Sequence, residues 1–381
     1  MAEYLTNTTD LTKVASAIRE KGGTSDLLVY PDGFVTAIQA IQAGTELQII
    51  ASVTSGATVT ATKGSLSVSG TSVNGTCMLT VPEEGEWTVS ATLGGETSDS
   101  NIVNVISSYD TTLVFASTIL NDNSWETIHG VSDAGIGANY WSIGDRKAVT
   151  LNGTVGHLTL SNYTTYAFII GFNHNASVEG ANRIHFQFAK TALSGGTDVC
   201  FCDNQYGPDS GWSSPGAGYF VMNASGTNSG GWKSSQMRTN ICGTSLSSYS
   251  GTIIAVIPAA LRAVLKSVTK YTNNTANGGG STASYVTATT DYFFLLSEFE
   301  VFGSISYGNT NEKNKQAQYA YYSAGNSKIK YKHNGTSTAA FWWLRSPYAS
   351  NSYFFVHVYT DGKVSYSDAN TSLGFTPGFC V

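Results

Sequence analysis

The chain has 381 residues, and its 20 Lys+Arg against 26 Asp+Glu leave a net charge of −6 with only 12% of residues charged. That length predicts two or three domains, and an acidic balance argues against a nucleic-acid binder, which carries a basic patch. No run reaches the ~20 apolar residues of a membrane helix; the nearest, 253–261, contains Pro258. The first residues are acidic and polar, which does not suit a secretory signal, so Sec export is not the expected route if the protein works outside a cell. Charge is replaced by Gly (40), Ser, Thr, Asn and aromatics (21 Tyr, 17 Phe, 7 Trp). Such a mixture favours turns and strands over long solvated helices and predicts a mainly β, multi-domain chain.

Residues 1–45 differ from the rest. In TKVASAIRE (12–20), Val14, Ala17 and Ile18 fall on a helical period, with Asp10 as the expected N-cap and Gly22-Gly23 as the stop. Phe34, Ala37, Ile38 and Ile41 repeat the pattern up to Gly44. Two helices this short cannot bury a core alone, so the segment is expected to dock on a partner or on copies of itself. A helical cap on the next domain is the plainer alternative.

From 46 to 107 the period becomes two. LQIIASV, TVTATKG, SLSVSG, TCMLTV, EWTVSATL and SNIVNV are short alternating runs separated by turn residues. They predict a small β-sandwich of immunoglobulin type with Trp87 in its core, serving as a spacer. Residues 108–381 form one large α+β region. YAFIIGFN, IHFQFA, YFFLLSEFEVFG and YFFVHVYT read as strands, whereas Lys233–Ile241 and Pro258–Val268 carry helical spacing, the second with Pro in its first turn. Neither a βαβ rhythm nor a phosphate-binding glycine loop is present.

Seven stretches follow one another in this region: YWSIGDRK (140–147), IIGFNH (169–174), GGWKSSQMR (230–238), FLLSEFEVFG (294–303), NEKNKQAQYAYY (311–322), FWWLRSP (341–347) and DGKVSYSDANTSLGFTPGF (361–379). Together they resemble a family of uncharacterised C-terminal domains common in phages, prophages and gut bacteria. That family looks related to the C-type-lectin and formylglycine-generating-enzyme fold. LTKVASAIREKGGTSDLLVYPDGFVTAIQAI resembles a segment opening many phage tail and baseplate-associated proteins, and the middle resembles bacterial immunoglobulin-like spacers. The resemblance implies an attachment segment (1–45), an immunoglobulin-like spacer (46–107) and a C-type-lectin-like binding head (108–381). It thus implies a tail-fibre or tail-tip protein on the virion, facing outward, that binds a host-surface protein or glycan and contacts other tail or baseplate proteins. A homo-oligomer, by analogy a trimer, would add avidity; membrane insertion is not expected. A structural tail or decoration protein is the alternative, and a glycan-degrading tail enzyme a third.

The last forty residues point to the binding surface. Trp342-Trp343-Leu344-Arg345 reads as a buried anchor, with Arg345 paired to a core carboxylate such as Glu298 or Glu300. A hairpin follows, turning at Asp361-Gly362. Its Tyr, Ser, Asn and Asp match the composition of adaptable paratopes. From Ser346 to Ser372 every residue but Lys363 belongs to the set encoded by pyrimidine-ending codons. That set is what adenine-directed mutagenesis of asparagine codons yields, as diversity-generating retroelements do to C-type-lectin-like phage proteins; a fixed-sequence binder or a structural tail are the other readings, because the whole chain is poor in charge. Alternation separates Ser350, Ser352, Phe354, Val356 and Val358 from Asn351, Tyr353, Phe355, His357 and Tyr359. The first set carries the aliphatics and is assigned to the core. The expected contact residues are therefore Tyr348, Asn351, Tyr353, Phe355, His357 and Tyr359, joined by Tyr366, Asp368 and Asn370 from the return strand. A register shift of one would invert the choice.

Catalytic and metal patterns are thin. The six histidines (129, 157, 174, 185, 333, 357) form no metal-type pair, and no G-x-S-x-G elbow is present. Glu298 and Glu300 share a face if SEFE is a strand, as a glycosidase pair might require, but their apolar surroundings favour a buried hydrogen-bonding role. Cys77, Cys200, Cys202, Cys242 and Cys380 form no zinc spacing and read as buried or incidental thiols, with a bridge from Cys200 or Cys202 to Cys242 as the alternative. They match no formylglycine-generating active site. Lectin-like folds often hold calcium, and Asp203-Asn204, Asp209 and Asn223 lie in a Gly-rich loop region. Without a calcium-loop spacing no cofactor is assigned, and the protein is expected not to be an enzyme.

Overall fold

The computed structural model describes residues 8–22, 34–35, 37, 46–207 and 215–381. It separates into two compact units, residues 1–115 and 116–381. No helix among the described residues is long and apolar enough to cross a membrane.

In the first unit, helix α1 spans Thr8–Gly22. It starts two residues before Asp10, which therefore stands in the first turn and not at the N-cap. Ala15 and Ile18 are buried with Phe34, and Ala37 packs beside them. Of the expected stripe Ile18 is buried, whereas Val14 and Ala17 are exposed and Ala15 takes the inward position. Of the second expected helix, Phe34, Val35 and Ala37 are helical, and Ile38, Ile41 and Gly44 lie outside the described residues.

Eight strands follow: β1 (Gln48–Ser52), β2 (Thr58–Lys63), β3 (Leu66–Thr71), β4 (Thr76–Thr80), β5 (Gly85–Leu93), β6 (Glu96–Thr97), β7 (Asn101–Val105) and β8 (Ser108–Thr112). One sheet has the order β4-β1-β8, the other β3-β2-β5-β6 with β7 also on β5. Period-two burial, such as eBeBe in β4, sends Ile49, Leu79, Val59, Trp87, Val89 and Val103 into one core between the sheets. Trp87 is fully buried, and its indole N–H donates to the Glu83 carbonyl at 3.1 Å, so the ring leaves no polar atom stranded. The joint expected at 107/108 falls inside this unit. β8 pairs in parallel with β1, Gln48 opposite Ser108, and Leu113 joins the core.

The second unit centres on a five-stranded sheet of order β15-β21-β11-β10-β9, comprising β9 (Arg146–Val155), β10 (Leu158–Phe172), β11 (Ile184–Lys190), β15 (Phe293–Phe294) and β21 (Gly378–Cys380). Every residue of β11 is buried. Its polar side chains have partners: Gln187 accepts from the Tyr322 hydroxyl at 2.7 Å and donates to the Thr376 carbonyl at 3.2 Å. Smaller sheets surround it: β12 (Val199–Cys200) with β16 (Lys330–Lys332) and β17 (Gly335–Ala340), the β13 (Val268–Asn273)–β14 (Val286–Asp291) pair, and β18 (Trp342–Pro347), β19 (Phe354–Val358) and β20 (Val364–Asp368). Helix α2 (Trp125–Asp133) is capped by Ser124, whose side chain accepts from the Thr127 amide at 3.0 Å.

Three local expectations change. SEFE is not a strand: after β15 the chain enters helix α3 (Glu298–Phe302), where Ser297 and Glu300 form a reciprocal capping box and Gly303 ends the helix at φ +67°. The 258–268 segment is helical only over Ala259–Ala263, because Val268 is already committed to β13. Lys233–Ile241 is divided between Gly231–Ser234 and a wider turn over Met237–Cys242, with Ser235 extended between them.

Glu300 is the electrostatic centre of this unit. Its carboxylate accepts from both terminal nitrogens of Arg345, from Lys270 Nζ at 3.0 Å and from the Ser297 amide at 2.9 Å. Lys270 also donates to Glu179 at 2.5 Å and to the Tyr319 hydroxyl at 2.8 Å. Arg345 gives Nε to Thr272 and Nη1 to the Leu295 carbonyl, both at 2.8 Å. Burial alone would raise the Glu300 carboxyl, but Arg345 and Lys270 hold it well below the usual carboxylate range. Glu300→Gln keeps the shape and leaves two buried cations short of a partner. It should lower stability by about 3–5 kcal/mol, the usual cost of breaking a buried pair, measured by urea denaturation.

Candidate functional site

The site builds up from the β18–β19–β20 sheet. Strand β19 lies between its two partners, pairing Trp342 with Val358 on one side and Val356 with Tyr366 on the other. Gly362 makes the hairpin turn at φ +82°, a conformation glycine adopts freely. Residues paired across strands share a face, so Tyr366 stands with Val356, and Asp368 with Phe354. Phe355 and His357 point to the opposite side.

That register corrects the expected set. Phe355 and His357 are buried, at 0% and 1% exposure. His357 is packed among Phe341, Trp343 and Tyr359. Tyr353 and Tyr359, at the two ends of β19, are exposed at 55% and 43%, and Tyr366 at 38%. Tyr348, Asn351, Asp368 and Asn370 are half-buried. Burial raises the Asp368 carboxyl above its ordinary value. Asn370 lies against Gly226, where a Cβ would come within 3.0 Å of its amide nitrogen.

On the Tyr366 face four rings meet. Tyr366 is 4.8 Å from Tyr348, 4.9 Å from Phe354 and 4.9 Å from Tyr307, centroid to centroid, and Tyr307 meets Tyr348 edge-on at 5.4 Å. All four remain partly open to solvent. Neither Tyr307 nor Phe354 was expected here. Phe354 was assigned to the core because it alternates with Val356 and Val358. Tyr307 arrives on a separate loop, which no local pattern connects to the hairpin.

Both loops beneath the rings are held by buried polar side chains acting on backbone. Asn228, fully buried, donates Nδ2 to the carbonyls of Tyr348 (3.1 Å), Asn351 (2.7 Å) and Phe354 (2.9 Å), and its Oδ1 accepts from the Asn277 amide at 2.8 Å. Its own backbone N–H donates to Ser352. Glu298 plays the same part for the other loop, accepting from the amides of Ser306, Tyr307 and Gly308, the last at 2.7 Å. Burial raises the Glu298 carboxyl, while those three amides pull it down. Consequently the backbone beneath the rings is held by hydrogen bonds from the interior.

The other candidates are structural. Glu298 and Glu300 are fully buried, in the first turn of α3, with their oxygens on backbone amides and on Arg345 and Lys270. Neither offers a free oxygen to a sugar. His174, Glu179 and Glu300 bring ligand atoms within 4.8 Å of one another, but the Lys270 ammonium bonds both carboxylates there and takes the cation's place. Of the calcium candidates, Asp203 and Asn223 have their oxygens engaged by the protein: Asp203 accepts from the Phe220 and Gln205 amides and the Ser372 hydroxyl, and Asn223 Oδ1 from the Gln236 amide. Asp209 lies outside the described residues. All five cysteines are buried free thiols, with Cys200 and Cys202 sulfurs 3.9 Å apart.

Two expectations test this architecture. Asn228→Ala removes a side chain that bonds three carbonyls and the Asn277 amide, of which the Phe354 carbonyl keeps the Tyr348 N–H as a donor. At about 1 kcal/mol per lost hydrogen bond it should lower stability by several kcal/mol and speed amide exchange at 348–354, read by hydrogen–deuterium exchange. Among the described residues His357 has no hydrogen bond to either ring nitrogen, and burial pushes it down to about 3. It is neutral when folded and titrates near ~6.5 when unfolded. Its contribution is therefore intact above that pH and is lost as the pH falls below it. His357→Phe should raise stability by about 1–3 kcal/mol and flatten the loss between pH 6.5 and 4, measured by urea denaturation at both limits.

The ring cluster, Asn228, Glu298 and Glu300 all fall within residues 219–381, which match the family described as a domain of unknown function, DUF6273. No curated protein matches the chain. The match covers less than half of the chain and names no chemistry.

Proposed function

We propose that this is a phage or prophage tail protein that attaches the virion to a host-surface molecule through its C-terminal domain. The observation that carries this reading is the Tyr307–Tyr348–Phe354–Tyr366 cluster. It joins large, stiff, amphipathic rings to a backbone held from below by Asn228 and Glu298. Tyrosine on a rigid frame gives contact area at small entropic cost, and hydroxyls supply hydrogen bonds. Tyr353, Asn351 and Asp368 extend the surface, and Tyr359 borders it on the far side of the hairpin.

The other parts of the reading rest on the architecture. A two-sheet sandwich with a central tryptophan suits an immunoglobulin-like spacer. The α+β second unit, with its variable-type composition on a terminal hairpin, suits a C-type-lectin-like head. The N-terminal segment would dock on the tail or on other copies, a trimer by analogy with tail fibres, and several weak sites would then act by avidity. In this reading the retroelement-type diversification falls on Tyr348, Asn351, Tyr353, Tyr366 and Asp368, and spares Phe355 and His357 because they fill the core.

Tyr348→Ala with Tyr366→Ala should reduce adsorption of particles to host cells at least tenfold and leave the melting temperature within a few degrees. Unchanged adsorption would favour a decoration protein. Deep sequencing of codons 346–372 in a propagated population should show substitutions concentrated at the five open positions. Substitutions spread evenly over Phe355 and His357 would sink the diversification idea.

A further inference from the structure

A second concavity shares no residue with the ring cluster. It is a groove of about 510 Å³ between the loop after β11 and the segment around β16, within the ~300–1,000 Å³ range of small-molecule sites. Arg146, Lys190, Asp198, Tyr321, Asn326 and Tyr331 line it. Unlike an apolar ligand pocket, its walls are donors, hydroxyls and the edges or faces of two tyrosines.

The charge there runs against the acidic chain. Lys190 is nearly buried, and its ammonium donates to Asp198 and to the Tyr321 hydroxyl at 2.9 Å. Lys330, exposed by only 1%, holds its ammonium 5.3 Å from the Phe168 ring and 5.4 Å from Trp342, with no hydrogen-bond acceptor among the described residues. Burial pushes Lys330 down to about 8, with Asp198 pulling upward and Lys190 downward, which places all three groups in one electrostatic neighbourhood. Arg146 adds a third cation. Its Nη1 donates to the Ala192 and Gly195 carbonyls at 2.6 and 2.5 Å, leaving Nε and Nη2 without a bond among the described residues. Asp198 is the one carboxylate among the described lining residues.

Arg146 and Lys190 on the walls, with buried Lys330 in electrostatic range of Lys190 and Asp198, outnumber the one lining carboxylate, and an unused Nε–Nη2 edge is the side of a guanidinium that grips a carboxylate with two parallel bonds. We infer that this groove binds the carboxylate of an acidic sugar, with Arg146 as the fork and Lys190 and Lys330 supplying the field beneath it. Asn326 and Thr336 on the walls suit ring hydroxyls, and the tyrosines suit the sugar's C–H face. A neighbouring depression of about 390 Å³ shares Arg146 and continues along Leu193–Gly195, so a second sugar unit has room beyond the acid.

The test titrates the full chain with N-acetylneuraminic acid, glucuronic acid and glucose, followed by saturation-transfer NMR and calorimetry. At least one acid should bind saturably, glucose should not bind at the same concentration, and added salt should weaken the complex. Arg146→Gln should weaken it at least tenfold. Because Arg146 also ties down the 192–195 loop, Thr336→Glu serves as the second variant: it adds a like charge at an exposed position on the wall and should give a similar loss without changing the melting temperature. Equal binding of glucose, no saturable binding of either acid, or undiminished affinity in a folded Thr336→Glu protein would overturn the assignment.

Discussion

A buried carboxylate with two cationic partners organises the second unit. Glu300 is reached by Ser297 from its own helix, by Lys270 from β13 and by Arg345 from β18, so one side chain ties three elements together. Taking such charges out of water is unfavourable unless every lone pair and every proton finds a partner. Here the carboxylate has four donors, each proton of the Lys270 ammonium has an acceptor, and Arg345 makes four hydrogen bonds. The arrangement resists alternatives, since any slippage of β18 relative to α3 would strand a charge.

That constraint extends to the surface. Arg345 fixes β18, β18 hydrogen-bonds β19, and β19 carries the hairpin with Tyr366. Ser346, next along β18, donates to Glu312 and accepts from the amide of Glu298, the residue that anchors the Tyr307 loop. The four rings thus stand on supports that converge on the same buried centre. A surface built this way tolerates changes in its outward side chains, because its shape is set by main-chain bonds and by residues underneath.

The parts legible in the sequence were those governed by local period or local chemistry. Alternation from Leu47 to Val105 gave the strands of the first unit, Asp361-Gly362 gave the hairpin, and the bulk around Arg345 pointed to a paired carboxylate. Errors arose where a second layer decides. SEFE carried both a strand-like apolar run and an S-x-x-E capping box, and the cap prevailed because Glu300 was needed below Arg345. The outward face of β19 was read from that strand's alternation alone, whereas the Val356–Tyr366 register sets which face is open. Asn228 and Tyr307 left no local signal, because they act on residues 120 and 41 positions away, Tyr348 in both cases.

Strand β21 has a consequence for how the second unit comes into being. Gly378–Cys380 is an interior strand, lying between β15 and β11 and paired to residues made almost two hundred positions earlier. The sheet therefore stays open along β11 until this stretch has left the ribosome, and loop closure over that length precedes the contacts that reward it. During synthesis the apolar face of β10 and β11 waits uncovered, a state in which chains associate with one another. Until β21 pairs with β11, the second unit lacks an interior strand of its central sheet.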